Sequence, residues 1–189
     1  MAMPTPLKER RMIIETVRLR LRAHRDDDLK DLVALAGNWQ VVRWLSRLPH
    51  PYTEADGREW IARVRQKHDA GQPRVFAIAA KESDRLIGGG GLDGNTVGDN
   101  EAAELGYWLG EPYWGRGFAR EMVAALINYG FRMLGLETIQ AITDPGNAAS
   151  QKVLLACGLT KVGEIDLIEP TRESGATRVP FFRVSRPTT

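Results

Sequence analysis

Residues 104–118 read ELGYWLGEPYWGRGF: a strand-like run, a turn at Gly110-Glu111-Pro112, and an entry to a helix marked by Gly115 and Gly117. Small residues at a helix start leave the first backbone N–H groups open, and those donors have no partner inside the helix. With the helix dipole behind them they suit an anion, best a phosphate or pyrophosphate. An ordinary strand–turn–helix eased by glycines has the same spacing, so spacing alone does not choose between the two. A second polar set is Asn147 and Ser150, which share one helix face with Leu154 and Cys157. Asn147 also reads as a plain N-cap and Ser150 as a small packing residue. Glu104 is a carboxylate within the strand run, a place where acidic side chains usually face water.

Other chemistries find little support. Gly89-Gly90-Gly91-Leu92-Asp93-Gly94 spells G-x-G-x-x-G, but a turn composition (Asn95 to Asn100) follows where a dinucleotide site needs a helix. No G-x-x-x-x-G-K-[ST] and no G-x-S-x-G occurs. His24, His50 and His68 are scattered without zinc spacing, so no metal is expected, and they read as surface or packing residues.

The elements that must position these groups follow from periodicity. Val17 to Arg22 alternates apolar residues with arginine, as a half-buried strand does, with the arginines expected toward solvent. Asp26-Asp27-Asp28 places carboxylates at the start of a helix reaching about Ala36. Trp39 to Tyr52 reads as an aromatic-rich connection. Thr53 caps a helix from about Glu54 to His68. Arg74 to Ala80 and Leu86 to Leu92 are paired strands, and Phe118 to Met133 is an amphipathic helix. Glu137 to Thr143 is a strand, Asn147 heads a helix ending near Cys157-Gly158, and Lys161 to Ile168 and Arg178 to Ser185 are strands. The order βααβββαβαββ predicts an α/β (α+β) fold: a mixed, mostly antiparallel central sheet with helices on both faces.

At 189 residues a chain forms one domain and buries roughly 70% of its unfolded surface. We expect a flexible tail over residues 1–12 and a domain over 13–186. Apolar residues at 43% and charged ones at 26% are globular values, and a net charge of +2 does not by itself argue for nucleic acid. Arg18, Arg20 and Arg22 are the only support for nucleic-acid binding. The single cysteine, Cys157, excludes an intrachain disulfide and reads as a buried structural thiol. No secretory leader and no membrane span is expected, which points to the cytoplasm.

Four segments in order carry a family resemblance. Glu15 to Arg22, Glu104 to Leu109, Tyr113 to Ala119, and Asn147 to Ser150 with Cys157-Gly158-Leu159 resemble motifs of the GNAT superfamily of acyl-CoA-dependent N-acyltransferases. The branch they most resemble is the RimJ/RimL-like, ribosomal-protein alanine acetyltransferase group. The resemblance spans about Glu15 to Val184. Many superfamily members carry Gln or Arg where this chain has Trp114; Trp is usual in the branch.

The resemblance implies a GNAT-like fold and an acetyl-CoA-dependent N-acetyltransferase that moves the acetyl group to a primary amine by direct attack. It implies coenzyme A contacts from Trp114, Gly115, Arg116, Gly117, Phe118, Ala119 and Arg120 around the pyrophosphate. The pantetheine arm would run along Tyr107, Trp108 and Leu109, where the central strand splays from its neighbour after Leu109, and would meet Asn147 and Ser150. A backbone N–H of that strand would polarise the thioester. Ser150 would protonate or stabilise the departing thiolate. Glu104 is the expected general base, with Glu164 second. An α-amine, pKa about 8, needs only modest help near neutral pH, whereas a lysine amine near 10.4 needs much more. Trp39, Trp44 and Tyr52 are expected to wall the acceptor pocket. The acceptor is an amine-bearing partner: a ribosomal-protein N-terminus, a small amine, an amino acid or an aminoglycoside-like compound. Oligomeric state, a homodimer included, stays open. The competing reading is a non-catalytic acyl-CoA sensor or interaction module that binds the cofactor and turns nothing over.

Overall fold

The computed structural model describes residues 12–93 and 102–187. Residues 1–11 of the expected tail and the turn at 94–100 lie outside the described residues, while Met12 packs against the core. The strands are β1 (Ile14–Glu15), β2 (Leu19–Arg22), β3 (Val75–Ala80), β4 (Leu86–Asp93), β5 (Ala102–Leu109), β6 (Thr138–Ile142), β7 (Thr160–Asp166) and β8 (Arg178–Ser185). The helices are α1 (Leu29–Ala36), α2 (Trp39–Val42), α3 (Glu54–Asp69), α4 (Phe118–Arg132) and α5 (Ala148–Ala156). One sheet runs β1-β2-β3-β4-β5-β6-β8-β7. Every neighbouring pair is antiparallel except β5 and β6, which are parallel and joined through α4.

Helices cover both faces, as the element order predicts. Alternating strand residues divide the core: Phe76, Ile78, Leu105, Ile139 and Phe182 pack with Met122 and Leu126 of α4 and Leu154 of α5. Ala77 and Leu86 face the other way, against Leu29 and Leu32 of α1 and Ile61 of α3. The glycine run in β4 serves close packing. A Cβ at Gly90 would meet Leu126 Cδ1 at 3.0 Å, and one at Gly89 would meet the Trp108 indole nitrogen at 2.7 Å. Gly89 to Asp93 of the G-x-G-x-x-G spelling thus lie in a strand, and α4 packs directly on it at Gly90.

Two expectations need correction. The arginine-rich strand breaks at residues 16–18, and its arginines do not form a free solvent face. Arg22 is 2% exposed and makes paired bonds to Asp28 at 2.7 and 2.8 Å. Burying that guanidinium without its carboxylate would leave an unpaired charge. Arg20 pairs with Glu15 and Asp84, and Arg18 with Glu121 of α4. The nucleic-acid reading loses its patch, because these cations are already neutralised. The Trp39–Tyr52 connection also contains the short helix α2, capped by Asn38, whose side chain accepts from the Gln40 N–H at 2.9 Å.

Candidate active site

β5 is the element on which the site is built. Its pairing with β6 covers only Ala102↔Thr138, Ala103↔Ile139 and Glu104↔Gln140. Beyond that rung β5 continues to Leu109 against β4, and β6 continues to Ile142 against β8. The two strands therefore part after Glu104, five residues earlier than the sequence reading placed the splay. The result is a fork whose one side is the rest of β5.

Hydrogen-bond parity decides which backbone groups face the fork. Gly110 N–H donates to Ile87 C=O at 2.9 Å. In an antiparallel pair each residue turns both its groups toward the partner or both away. Gly106 and Trp108 thus spend theirs on β4, while Tyr107 and Leu109 turn theirs into the fork. The Leu109 carbonyl is taken by the Trp114 indole N–H at 2.7 Å, which ties the following loop to the strand end. Among the described residues, the N–H groups of Tyr107 and Leu109 meet no acceptor. Trp108, grouped with them in the sequence, is set apart: its indole packs on the α1–α3 side.

The loop after β5 has the shape an anion needs. Gly115 and Gly117 sit at φ +70° and +79°, and a Cβ on Gly115 would meet nothing within 4 Å. Gly117 is the residue before α4. Among the described residues, the N–H groups of residues 115–120 have no hydrogen-bond acceptor. Arg116 and Arg120 are exposed beside them. Arg18, exposed as the sequence reading has it, also braces the loop. Its Nη1 donates to the Arg116 carbonyl at 2.9 Å and its guanidinium lies 4.6 Å from the Phe118 ring centre. Glu121 holds Arg18 in turn, at 2.7 Å. Burial would raise the Glu121 carboxyl, but the Thr16 hydroxyl and the Arg18 amide and guanidinium outweigh it and hold the group below its ordinary value.

Ser150 and Tyr107 meet across the α5 side of the fork. Their hydroxyl oxygens are 3.0 Å apart. Burial pushes the Tyr107 hydroxyl up to about 12, with the Ser150 hydrogen bond working against it. Tyr107 is therefore a protonated donor throughout the neutral range. Asn147 caps α5, its Oδ1 accepting from the Ser150 N–H at 3.0 Å. Capping uses one end of that carboxamide and leaves its NH2 available. Cys157 is half-buried rather than enclosed, its thiol 3.5 Å from the Arg120 carbonyl.

Glu104 lies on the opposite, α1–α3 face, since its neighbours Ala103 and Leu105 belong to the α4 core. Its side chain is 25% exposed and pairs at 3.2 Å with Arg47, itself 72% exposed. Glu164 stands on β7, paired with Lys161 and Arg178 and outside the fork. Of the three expected wall residues, Trp44 stands beside the turn that leads into α5. It lies 3.8 Å from where a Gly146 Cβ would sit, one residue before Asn147. Trp39 stacks on His50 instead, at 5.2 Å. Tyr52 packs into the α1–α3 core, where burial pushes its hydroxyl up to about 12.

The sequence reading missed the β7–β8 connection, residues 167–177. Arg172 reaches back to the carbonyls of Val42 and Leu48, and Glu173 pairs with Arg43 at 2.8 Å. Asp144 accepts from the Ser174 hydroxyl at 2.7 Å and from the Gly146 N–H at 2.7 Å. Burial would raise Asp144, but its hydroxyl and amide donors hold it low, so it stays ionised and locks the turn that presents Asn147. These ties join the α2 segment, the α5 turn and the β7–β8 loop around the fork. A cavity lined by Asp26, Leu29, Arg58, Ile61, Arg65 and Asp69 shares no residue with the fork.

The fork and the open amide loop beside it offer a place for an extended group that carries a phosphate or pyrophosphate. The chain belongs to the GNAT acetyltransferase family: the profile described as "Acetyltransferase (GNAT) domain" matches residues 18–160. It is 35% identical over 150 residues, 78% of this chain and 82% of the relative, to an uncharacterized N-acetyltransferase, p20, of Bacillus licheniformis. It shares its fold with ribosomal-protein-S5-alanine acetyltransferase from Vibrio fischeri, with a TM-score of 0.73 and 22% identity over 93% of this chain and 100% of that one. It also resembles spermidine N-acetyltransferase from Vibrio cholerae in complex with CoA and spermine, with a TM-score of 0.71 and 23% identity over 90% and 96% of the two chains. The protein is an acetyl-CoA-dependent N-acetyltransferase acting on an amine. Among the described residues no helix is long and apolar enough to cross a membrane.

Proposed function

We propose that the fork is the place of acetyl transfer, with the cofactor on the α4–α5 side and the acceptor amine on the α1–α3 side. The observation that carries this is the end of β5–β6 pairing at Glu104, flanked by free amides at residues 115–120 and by the Tyr107–Ser150 pair. The residues fit acetyl-CoA: open N–H groups and the arginines at 116 and 120 for its pyrophosphate, and the open edge of Tyr107 and Leu109 for its arm. When bound it supplies a thioester, whose carbonyl carbon bonds the amine nitrogen as the C–S bond breaks. The free N–H groups of Tyr107 and Leu109 are the chain's donors for the carbonyl oxygen. Ser150 Oγ gives its proton to the sulfur and takes one from Tyr107 Oη, which solvent water reprotonates. Glu104 takes the proton released by the amine, directly or through one water.

The acceptor we propose is an α-amine, of a protein N-terminus or an amino-acyl small molecule, and a ribosomal protein is one such substrate. The ordinary pKa of that amine asks little of the base. A cytoplasmic location and action on its own or as a homodimer fit this reading. Trp44 and the β7–β8 loop form the pocket wall. Gly106 leaves the acceptor side open: it is exposed, its backbone is extended, and a Cβ there would meet nothing within 4 Å. Gly106→Leu should therefore fold normally yet raise the acceptor KM by roughly tenfold or more. Unchanged acetyl-CoA affinity by calorimetry would confirm that the added side chain fills the acceptor side.

The pair Ser150 and Tyr107 tests the chemistry. Ser150→Ala and Tyr107→Phe should each lower kcat roughly tenfold, and the double variant should be no worse than either single one. Fully multiplied losses would mean that the two hydroxyls act separately. Acetyl-CoA binding without any amine-dependent thiol release would support the sensor reading instead.

A further inference from the structure

Gln140 stands beside Glu104 on the last paired rung of β5 and β6. Its neighbours Ile139 and Ala141 belong to the α4 core, so strand alternation turns Gln140 to the same face as Glu104. Two residues along β5 on that face is Gly106, which adds no side chain to the space beyond. Gln140 is 3% exposed, yet among the described residues its Nε2 has no hydrogen-bond partner. A buried carboxamide donor left without an acceptor destabilises the fold, and such groups are rare in proteins unless a ligand uses them. A leucine would fill this position without that cost.

The surroundings narrow what the donor awaits. Glu104 already pairs with Arg47, the register partner of Gln140 on β8 is Arg183, and Arg43 and Arg172 bind the nearby walls. Arg43, Arg47, Arg172 and Arg183 stand here against Glu104, Glu173 and Asp144, and each of these carboxylates is already bonded, an unfavourable setting for an acceptor with several ammonium groups. This face suits a single amine with a hydrogen-bond acceptor close to it. We propose that Gln140 determines specificity by donating Nε2–H to the carbonyl oxygen next to the acceptor amine. The enzyme then prefers α-aminoacyl acceptors, such as a peptide N-terminus, to plain alkyl amines. This rests on the fork being the acceptor site.

The test compares alaninamide with isopropylamine, which lacks the carbonyl, by kcat/KM in wild type and in Gln140→Leu. Intrinsic differences between the amines cancel when the two preference ratios are divided. The preference for alaninamide should fall roughly tenfold or more in the variant, as loss of one hydrogen bond to substrate requires. Isopropylamine turnover and acetyl-CoA affinity should hold, and the thermal midpoint should not drop, because an unsatisfied group has been removed. Gln140→Met, which keeps the length but has no donor, should lose the preference as well, and it stands in if the leucine variant misfolds. An unchanged ratio, or equal losses for both amines, would overturn the proposal. So would a wild type that binds acetyl-CoA and acetylates neither amine, with the cofactor site left standing. A wild type that fails to bind acetyl-CoA would overturn the fork reading beneath it.

Discussion

Gly117→Asp should abolish measurable acetyl-CoA binding, whereas Gly117→Asn should only weaken it. Both replacements force a side chain onto a residue at φ +79°, a region that Asn and Asp tolerate better than other side chains. Both also place a Cβ 3.3 Å from Arg18 Nη2. Strain and crowding are therefore shared, and the difference between them is charge. An aspartate at the head of α4 would compete with a pyrophosphate for the same amides and repel it. Two unit charges about 4 Å apart interact by about 4 kcal/mol at an effective dielectric of 20, of which half already means about thirtyfold in affinity. Calorimetric titration with acetyl-CoA measures it. Equal affinity in the two variants would mean that the loop does not hold the pyrophosphate, even if the enzyme is active.

Glu104→Gln should lower kcat/KM for an α-amine by about a hundredfold, within the range general-base removal commonly costs. The side chain is nearly isosteric and only 25% exposed, so the fold should persist. Arg47 loses its partner, but it is 72% exposed and regains water easily. Acetyl-CoA affinity should not change, because Glu104 lies on the face away from the amide loop. The pH dependence is the deciding readout: a rate that follows only the ionisation of the amine itself belongs to an enzyme without a protein base. If wild type and variant share one pH–rate profile, Glu104 is no base.

Much of the framework can be read from the chain because local signals and global fold agree. Thr53 and Asn147 are side-chain caps where the sequence suggests caps, and the bonds to Asp56 and Ser150 confirm them. The amphipathic spacing from Phe118 to Met133 matches α4 to within one residue. What stayed hidden depends on contacts remote in sequence. Arg22 looks like its exposed neighbours until Asp28 and Asp84 converge on it, and Asp84 is 62 positions away. The splay point depends on where β6 stops pairing, which no residue of β5 announces. The Tyr107 hydroxyl became part of the site only when α5 brought Ser150 to it. Residues 167–177 have a polar, loop-like composition with no motif, so nothing marked them as a wall. Tyr52 shows the reverse difficulty, since an aromatic near a pocket and an aromatic packed on a core look alike in sequence.

The ties around the fork bear on how this scaffold can change its substrate. Arg172 grips Val42 and Leu48 across 130 and 124 positions of chain, and Glu173 holds Arg43. The two segments proposed to frame the acceptor therefore form one mechanical unit, although they lie far apart in the chain. A loop transplanted alone from a relative would arrive without its counterpart and leave guanidinium and carbonyl groups unmatched. A change of acceptor preference should accordingly need both segments exchanged together, while the loop before α4, braced separately by Arg18 and Glu121, can remain as it is.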